Sequence, residues 1–308
     1  MITFARRGII MNKLLAVCAF LTLALPVLQA QPDYLERSDD LSFANGNMDS
    51  FHLLMEMLPA AKTDQERAQI YWRLSRDTIL DTDIRRYAGA STDSLLPLYK
   101  RGESYADTAI SLDPNNPMGY YLKACNIGRQ EQACGTSASL SQAEMMRKLL
   151  VTAAKSDPRL SGPWYVLGQL YEQVPGWPFA FGNVVWAVSL GRKALDASTE
   201  EVSDGAERDV PLDYSIQLAR HLAKRNWSSA KRVQEQANEA RKFNTTNDPV
   251  ERNFSYEGIV PIPPISDRAE GRQLCQFVIS KLQSVSSLTL SQNNDLKNAQ
   301  ETIAGLGQ

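Results

Sequence analysis

Histidine is almost missing from this chain: His52 and His221 are its only two in 308 residues. That leaves an enzymatic reading little to work with. The zinc-protease His-Glu-x-x-His is absent, as are Gly-x-Ser-x-Gly, Gly-x-Gly-x-x-Gly and the P-loop. Asp81-Thr82-Asp83 supplies too few oxygen ligands for a calcium loop and reads as a helix end. No metal and no cofactor are expected. A block of Lys and Arg is missing too, and the formal net charge is −2, which argues against nucleic acid as a partner. Sustained strand alternation is absent. The 43% apolar and 22% charged content is that of an ordinary folded protein.

Long hydrophobic runs are confined to one place. Arg6, Arg7 and Lys13 flank Leu14 to Leu25, which is apolar except for Thr22 and ends before Pro26. Leu28-Gln29-Ala30 then offers a small residue for cleavage, so residues 1–30 read as a secretory signal peptide, too short and too Pro-broken for a good transmembrane helix. Cys18 reads as an apolar residue within that signal. Its removal would take the net charge from −2 to −5, and the mature protein is expected to be exported and periplasmic. Three cysteines would remain: Cys125, Cys134 and Cys275. In an oxidising compartment, a Cys125–Cys134 bridge closing a small loop is one reading, and two buried free thiols the other.

What the chain has in quantity is helical periodicity. Residues 31–48 are polar and read as a lead-in. From Asp49 the apolar positions recur at helical spacing almost throughout. Thr63-x-x-Glu66 is a capping box, and Asp113-Pro114-Asn115-Asn116-Pro117 separates two helices. Residues 246–266 are Pro-rich and read as a connector. Residues 267–308 hold one strong helix capped by Asp267, then a weaker tail.

The helices repeat. Trp164-x2-Leu167-Gly168-x2-Tyr171 matches the first-helix signature of a tetratricopeptide repeat. Ala60, Ala109 and Ala153 each precede an aromatic residue by 11: Tyr71, Tyr120 and Trp164. Small residues suit a close helix crossing, with the aromatic filling the space in front. Tyr214 continues the series, at spacings of 49, 44 and 50, longer than the about 34 of the standard repeat. His221 follows Tyr214 by seven, at a packing position of the repeat. His52, beside Phe51, reads as structural or solvated. The expected fold is all-α: a helical-hairpin solenoid of tetratricopeptide type over residues 49–245, with C-terminal helices capping its open end.

Two runs, Ala68-x2-Tyr71-Trp72-Arg73-Leu74-Ser75-Arg76 and Tyr105-Ala106-Asp107-x-Ala109-Ile110-x-Leu112-Asp113-Pro114, resemble a divergent tetratricopeptide group. Leu167-Gly168-x2-Tyr171, Pro175-Gly176-Trp177 and Phe181-Gly182-Asn183, with Arg192-Lys193-Ala194, look like its central segment. That group holds the regulator-of-microtubule-dynamics-like proteins and the TatT-type periplasmic partners of TRAP transporters. The TatT likeness implies an accessory role in solute uptake, a cleft for small apolar or amphipathic ligands, docking on a periplasmic solute-binding protein, and homo-oligomers. A general scaffold for envelope proteins, without a small ligand, is the alternative.

Aromatic side chains are the best candidates for binding. Tyr165, Trp177, Phe179, Phe181 and Trp186 fall in one short stretch with the repeat landmarks Trp164 and Tyr171. Trp177 and Phe179 lie in a connection bounded by Pro and Gly, where helical periodicity demands no core packing. Arg192, with Arg220, Lys224 and Arg225, is a candidate to receive an anionic head group.

Overall fold

Side-chain oxygens cap helix starts along the whole chain. Thr63, Asn116, Asn183, Ser228, Ser266 and Thr289 each accept a hydrogen bond from a backbone N–H in the first turn that follows. Each cap satisfies an amide that the helix itself cannot reach. The computed structural model describes residues 33–135 and 140–307. The predicted signal segment, 1–30, and Cys18 lie outside them.

Twelve α-helices make up the described residues, with no strand among them. They are α1 (Asp33–Phe43), α2 (Asn47–Met57), α3 (Asp64–Tyr87), α4 (Thr92–Leu112), α5 (Pro117–Ala133) and α6 (Leu140–Ser156). There follow α7 (Ser161–Gln173), α8 (Val184–Ser203), α9 (Leu212–Arg225), α10 (Ser229–Thr245), α11 (Asp267–Gln283) and α12 (Leu290–Gly305). Two 3-10 segments, Leu58–Ala60 and Glu251–Ile259, complete the regular structure. From α1 to α9 each helix packs on the next, so the array grows by stacking.

The small residues mark where helices approach closely. Ala109 and Ala153 are buried, in front of Tyr120 and the fully buried Trp164. Ala60 departs from the pattern: it sits exposed in a 3-10 turn, and its neighbour Ala61 is the buried residue. Gly168 has a specific reason to be glycine. A Cβ there would stand 3.0 Å from Nε2 of His221 and 3.3 Å from the Ala187 carbonyl oxygen. His221 is fully buried against Gly168 and Gly191, and its Nδ1 lies 2.6 Å from Glu172. It is a packing residue, as its position seven after Tyr214 suggests.

Three expectations about boundaries change. Residues 33–43 are no lead-in; they form α1, which buries Leu35 and is held by a paired contact from Arg73 to Asp39 at 2.7 and 2.9 Å. The Pro-rich 246–266 is no free connector. Its 3-10 segment packs on α8 and α10 and buries Glu257. Asp267 does not cap α11; Ser266 does, and Asp267 is the first helical residue, fully buried. Residues 33–308 form one unit by their contacts, so no boundary falls at 245 or 266.

The C-terminal third is joined by a buried ionic cluster. Arg192 (α8) donates to Glu257 at 2.8 Å and grips Glu270 (α11) with two bonds of 2.9 and 2.8 Å. Arg225 (α9) grips Asp267 with two bonds of 2.8 Å and also donates to Glu257. Arg232 (α10) donates to Glu270 at 2.5 Å and to the Ile265 carbonyl at 2.7 Å. All six side chains are at most 9% exposed. Burial pulls the carboxyls of Glu257 and Glu270 upward, but the arginines outweigh it and hold both below the usual range.

Arg225→Met strips Asp267 of its two-pronged partner, so it should destabilise the fold by about 3–5 kcal/mol in urea unfolding. The depressed carboxylates stabilise the fold fully above their unfolded pKa of about 4.3, and that contribution is lost as pH falls through their lower folded values. Stability followed by circular dichroism should therefore drop steeply below about pH 4.

Candidate ligand-binding site

One face of α3, α5, α7 and α9 is left uncovered by neighbouring helices. On α5 the residues Tyr121, Cys125 and Arg129 follow at four-residue spacing, as do Tyr165, Gln169 and Gln173 on α7, so each set lies on one side of its helix. Together with Leu80 and Asp83 of α3 and Asp213 and Tyr214 of α9, they enclose a cavity of about 570 Å³. Most of its wall is apolar, including Ile79, Met118, Leu122, Met146, Val166 and Leu170.

Three tyrosines shape the interior. The ring of Tyr121 lies where a Cβ on Gly162 would be, 2.4 Å from Tyr121 Cζ, so only glycine fits at 162. Tyr165 stacks on Tyr214 with ring centres 4.2 Å apart, and its hydroxyl donates to Asp213 at 2.7 Å. Burial, with nearby negative groups, pushes all three phenols well above their ordinary pKa. They are therefore neutral polar groups at any physiological pH. Burial also pushes the Cys125 thiol up to about 12, so it is an inert thiol and no nucleophile.

The chain closes around this space on two sides. Arg208, in the loop before α9, pairs with Asp40 of α1 and lies over the Phe43 ring at 4.7 Å. Opposite, α12 packs on α9 and returns to α3. Arg220 of α9 donates to Asn298 at 2.9 Å and Thr302 at 3.2 Å of α12. A second, polar cavity of about 240 Å³ lies between α12 and the ends of α3, α5, α7 and α9.

Of the sequence-predicted binding residues, Tyr165 lines both cavities and Arg220 the polar one. Phe181 and Trp186 belong to a separate aromatic cluster. Both meet Tyr171 edge-on at 5.4 Å, and Trp186 stacks on Phe254 at 4.5 Å. Phe254 comes from the segment read as a connector, which is why sequence reasoning passed over it. Trp177 and Phe179 point outward, 89% and 80% exposed. Their loop is pinned at its base by bonds from Gly182 N to the Pro175 carbonyl (2.9 Å) and from Asn183 N to the Tyr171 carbonyl (2.8 Å).

Two expectations are corrected. Arg192 is not available to an anionic head group, because Glu257 and Glu270 occupy its guanidinium in the core; Arg225 is held in the same cluster. Cys125 and Cys134 are free thiols. Cys125 lies within α5 and Cys134 caps its end. Nine residues of helix separate them by about 13 Å at 1.5 Å per residue, twice the span a disulfide bridges. Among the described residues no group of three His, Cys, Asp or Glu side chains could hold a metal ion, and no helix is long and apolar enough to cross a membrane.

Asp295 of α12 lines the polar cavity, where burial and the nearby Asp213 push its carboxyl up to about 7, partly offset by Arg220. A raised carboxyl weakens the fold as pH climbs from its unfolded value near 4 to its folded one. Asp295→Asn should therefore leave the melting temperature unchanged at pH 4 and raise it at pH 8. Trp177→Ala, by contrast, should shift stability by less than about 0.5 kcal/mol, since its side chain packs on almost nothing.

Neither a protein-family model nor a curated protein sequence matches this chain.

Proposed function

We propose that this chain is a non-enzymatic binding protein of tetratricopeptide type, exported to the periplasm, that holds a small apolar or amphipathic ligand in the cavity between α3, α5, α7 and α9. The observation that carries the reading is the cavity itself. Its volume of about 570 Å³ lies within the roughly 300–1,000 Å³ usual for small-molecule sites. Its apolar side chains and neutral tyrosine hydroxyls suit hydrocarbon, and the ionisable side chains in the same wall, such as Arg76, Asp83, Glu201 and Asp213, suit the polar end of an amphipathic ligand. Buried Ala109 and Ala153, and Gly168 seated on His221, support the tetratricopeptide part of the reading.

The TatT resemblance extends this to an accessory role in TRAP-type solute uptake, with a periplasmic solute-binding protein as partner and homo-oligomers as the working form. A second reading, a protein-interaction scaffold without a small ligand, is favoured by Trp177 and Phe179. Two large aromatics held outward on a pinned loop suit an anchor for a partner's apolar pocket.

Titration with the fluorescent apolar probe N-phenyl-1-naphthylamine tests the first reading. Saturable binding at one site is expected, with Kd on the order of micromolar. Leu80 lines the cavity yet is 40% exposed, so it can be changed without opening the core. Leu80→Glu should leave the helical signal intact and weaken the probe at least about tenfold, or 1.4 kcal/mol. Absence of saturable binding to the unaltered protein would sink the ligand reading in favour of the scaffold.

A further inference from the structure

The apolar and polar cavities are neighbours. They share Tyr165, Gln169, Gln173, Asp213, Arg129 and Gln132 as common wall. The polar one collects an unusual density of carboxamides: Gln132, Gln169, Gln173, Gln217, Asn294 and Asn298. These come from α5, α7, α9 and α12, so only the return of α12 assembles them.

Charge decides what such a chamber accepts. Its cations are Arg86, Arg129 and Arg220. Arg129 donates to Asp83 at 2.8 Å and to Gln132 at 2.7 Å, and Arg86 stands 3.5 Å from the same Asp83. Arg220 is bonded to Asn298 and Thr302, and its charge faces Asp295 and Asp213 across the same cavity. Three guanidinium groups thus stand against Asp83, which takes two of them, and against Asp213 and Asp295, whose carboxyls burial pushes upward. An added anion would meet Asp213 and Asp295, and an added cation would meet the arginines. Either would bring an unbalanced charge into a confined space, where compensation by water is poor. A carboxamide, by contrast, offers both a donor and an acceptor. Among the described residues, the side-chain amides of Gln169 and Asn294, each half-buried in this wall, have no hydrogen-bond partner.

We infer that the site is bipartite: the apolar cavity takes an alkyl tail, and the carboxamide-lined cavity takes an uncharged head bearing several hydroxyl or amide groups. This rests on the cavity reading above and narrows it. It excludes simple fatty acids and alkylamines as the preferred ligands. Tyr165 sits at the junction, its ring in the stack with Tyr214 and its hydroxyl on Asp213, so one side chain borders both tail and head.

Three probes with the same eight-carbon tail test it: octyl β-D-glucoside, octanoate and octylammonium. Each competes with N-phenyl-1-naphthylamine for the unaltered protein at pH 7.5, below its micelle-forming concentration. The glucoside is expected to displace the dye at least about tenfold more effectively than either ion. The double variant Asn294→Leu, Asn298→Leu, whose residues line only the polar cavity, should lose that advantage while binding the dye within about twofold of the unaltered protein. If octanoate or octylammonium equals or exceeds the glucoside, the head-group inference is overturned and the apolar cavity stands. An unchanged preference in the double variant also overturns it. If the dye itself does not bind, the cavity reading fails and this inference with it.

Discussion

Six buried charges hold the second half of this molecule in register. Arg192, Arg225 and Arg232 face Glu257, Asp267 and Glu270, and these six residues come from α8, α9, α10, the 3-10 segment and α11. Taking six charges out of water is costly, and such a cluster is tolerable only when nearly every donor and acceptor is matched. Here the matching is close: two guanidiniums make two-pronged contacts, and Asp267 also accepts from Trp227 N at 2.8 Å. An ionic match of this kind is far more directional than an apolar contact. It sets where α11 leaves the stack, and therefore where α12 goes.

The position of α12 in turn completes the polar cavity. This helix buries little of its own surface; Ala299 is its one buried residue, followed by Leu306 just past its end. It is held by Arg220 from α9 and by Arg268 of α11, which donates to the Leu306 carbonyl at 2.7 Å. With α12 against α3 and α9, the polar annex gains its outer wall, while the apolar cavity is lined without it. The buried ionic cluster and the chamber are thus two ends of one chain of dependence. The cluster orders α11, α11 carries α12, and α12 brings Asn294, Asp295 and Asn298 to the annex.

Aromatic side chains divide by what surrounds them. Trp164 and Tyr171 are buried in the core. Phe181 and Trp186 fill a gap between α7, α8 and the 3-10 segment. Only Tyr121, Tyr165 and Tyr214 turn into the cavity, and their hydroxyls stay neutral there. Trp177 and Phe179 stand apart in solvent. Nothing in the hydrophobicity of these residues separates the groups; their neighbours do.

The sequence by itself determined the all-α class, most helix limits and the close crossings at Ala109, Ala153 and Gly168. Those features are local: helical periodicity, a capping oxygen, a proline that ends a helix, a small residue where two axes meet. It also placed His221 in packing, from its helical spacing after Tyr214. Only the tertiary structure decided the rest. Arg192 reads as a free cation until Glu257 and Glu270, 65 and 78 residues away, are seen on it. Residues 33–43 read as an accessory segment because they are polar, and 246–266 because they are Pro-rich, yet ion pairs and a few buried side chains fix both in place. The cavity was least legible of all. It is formed by residues from seven helices spread between Arg76 and Asn298, and no local pattern encodes a space between them.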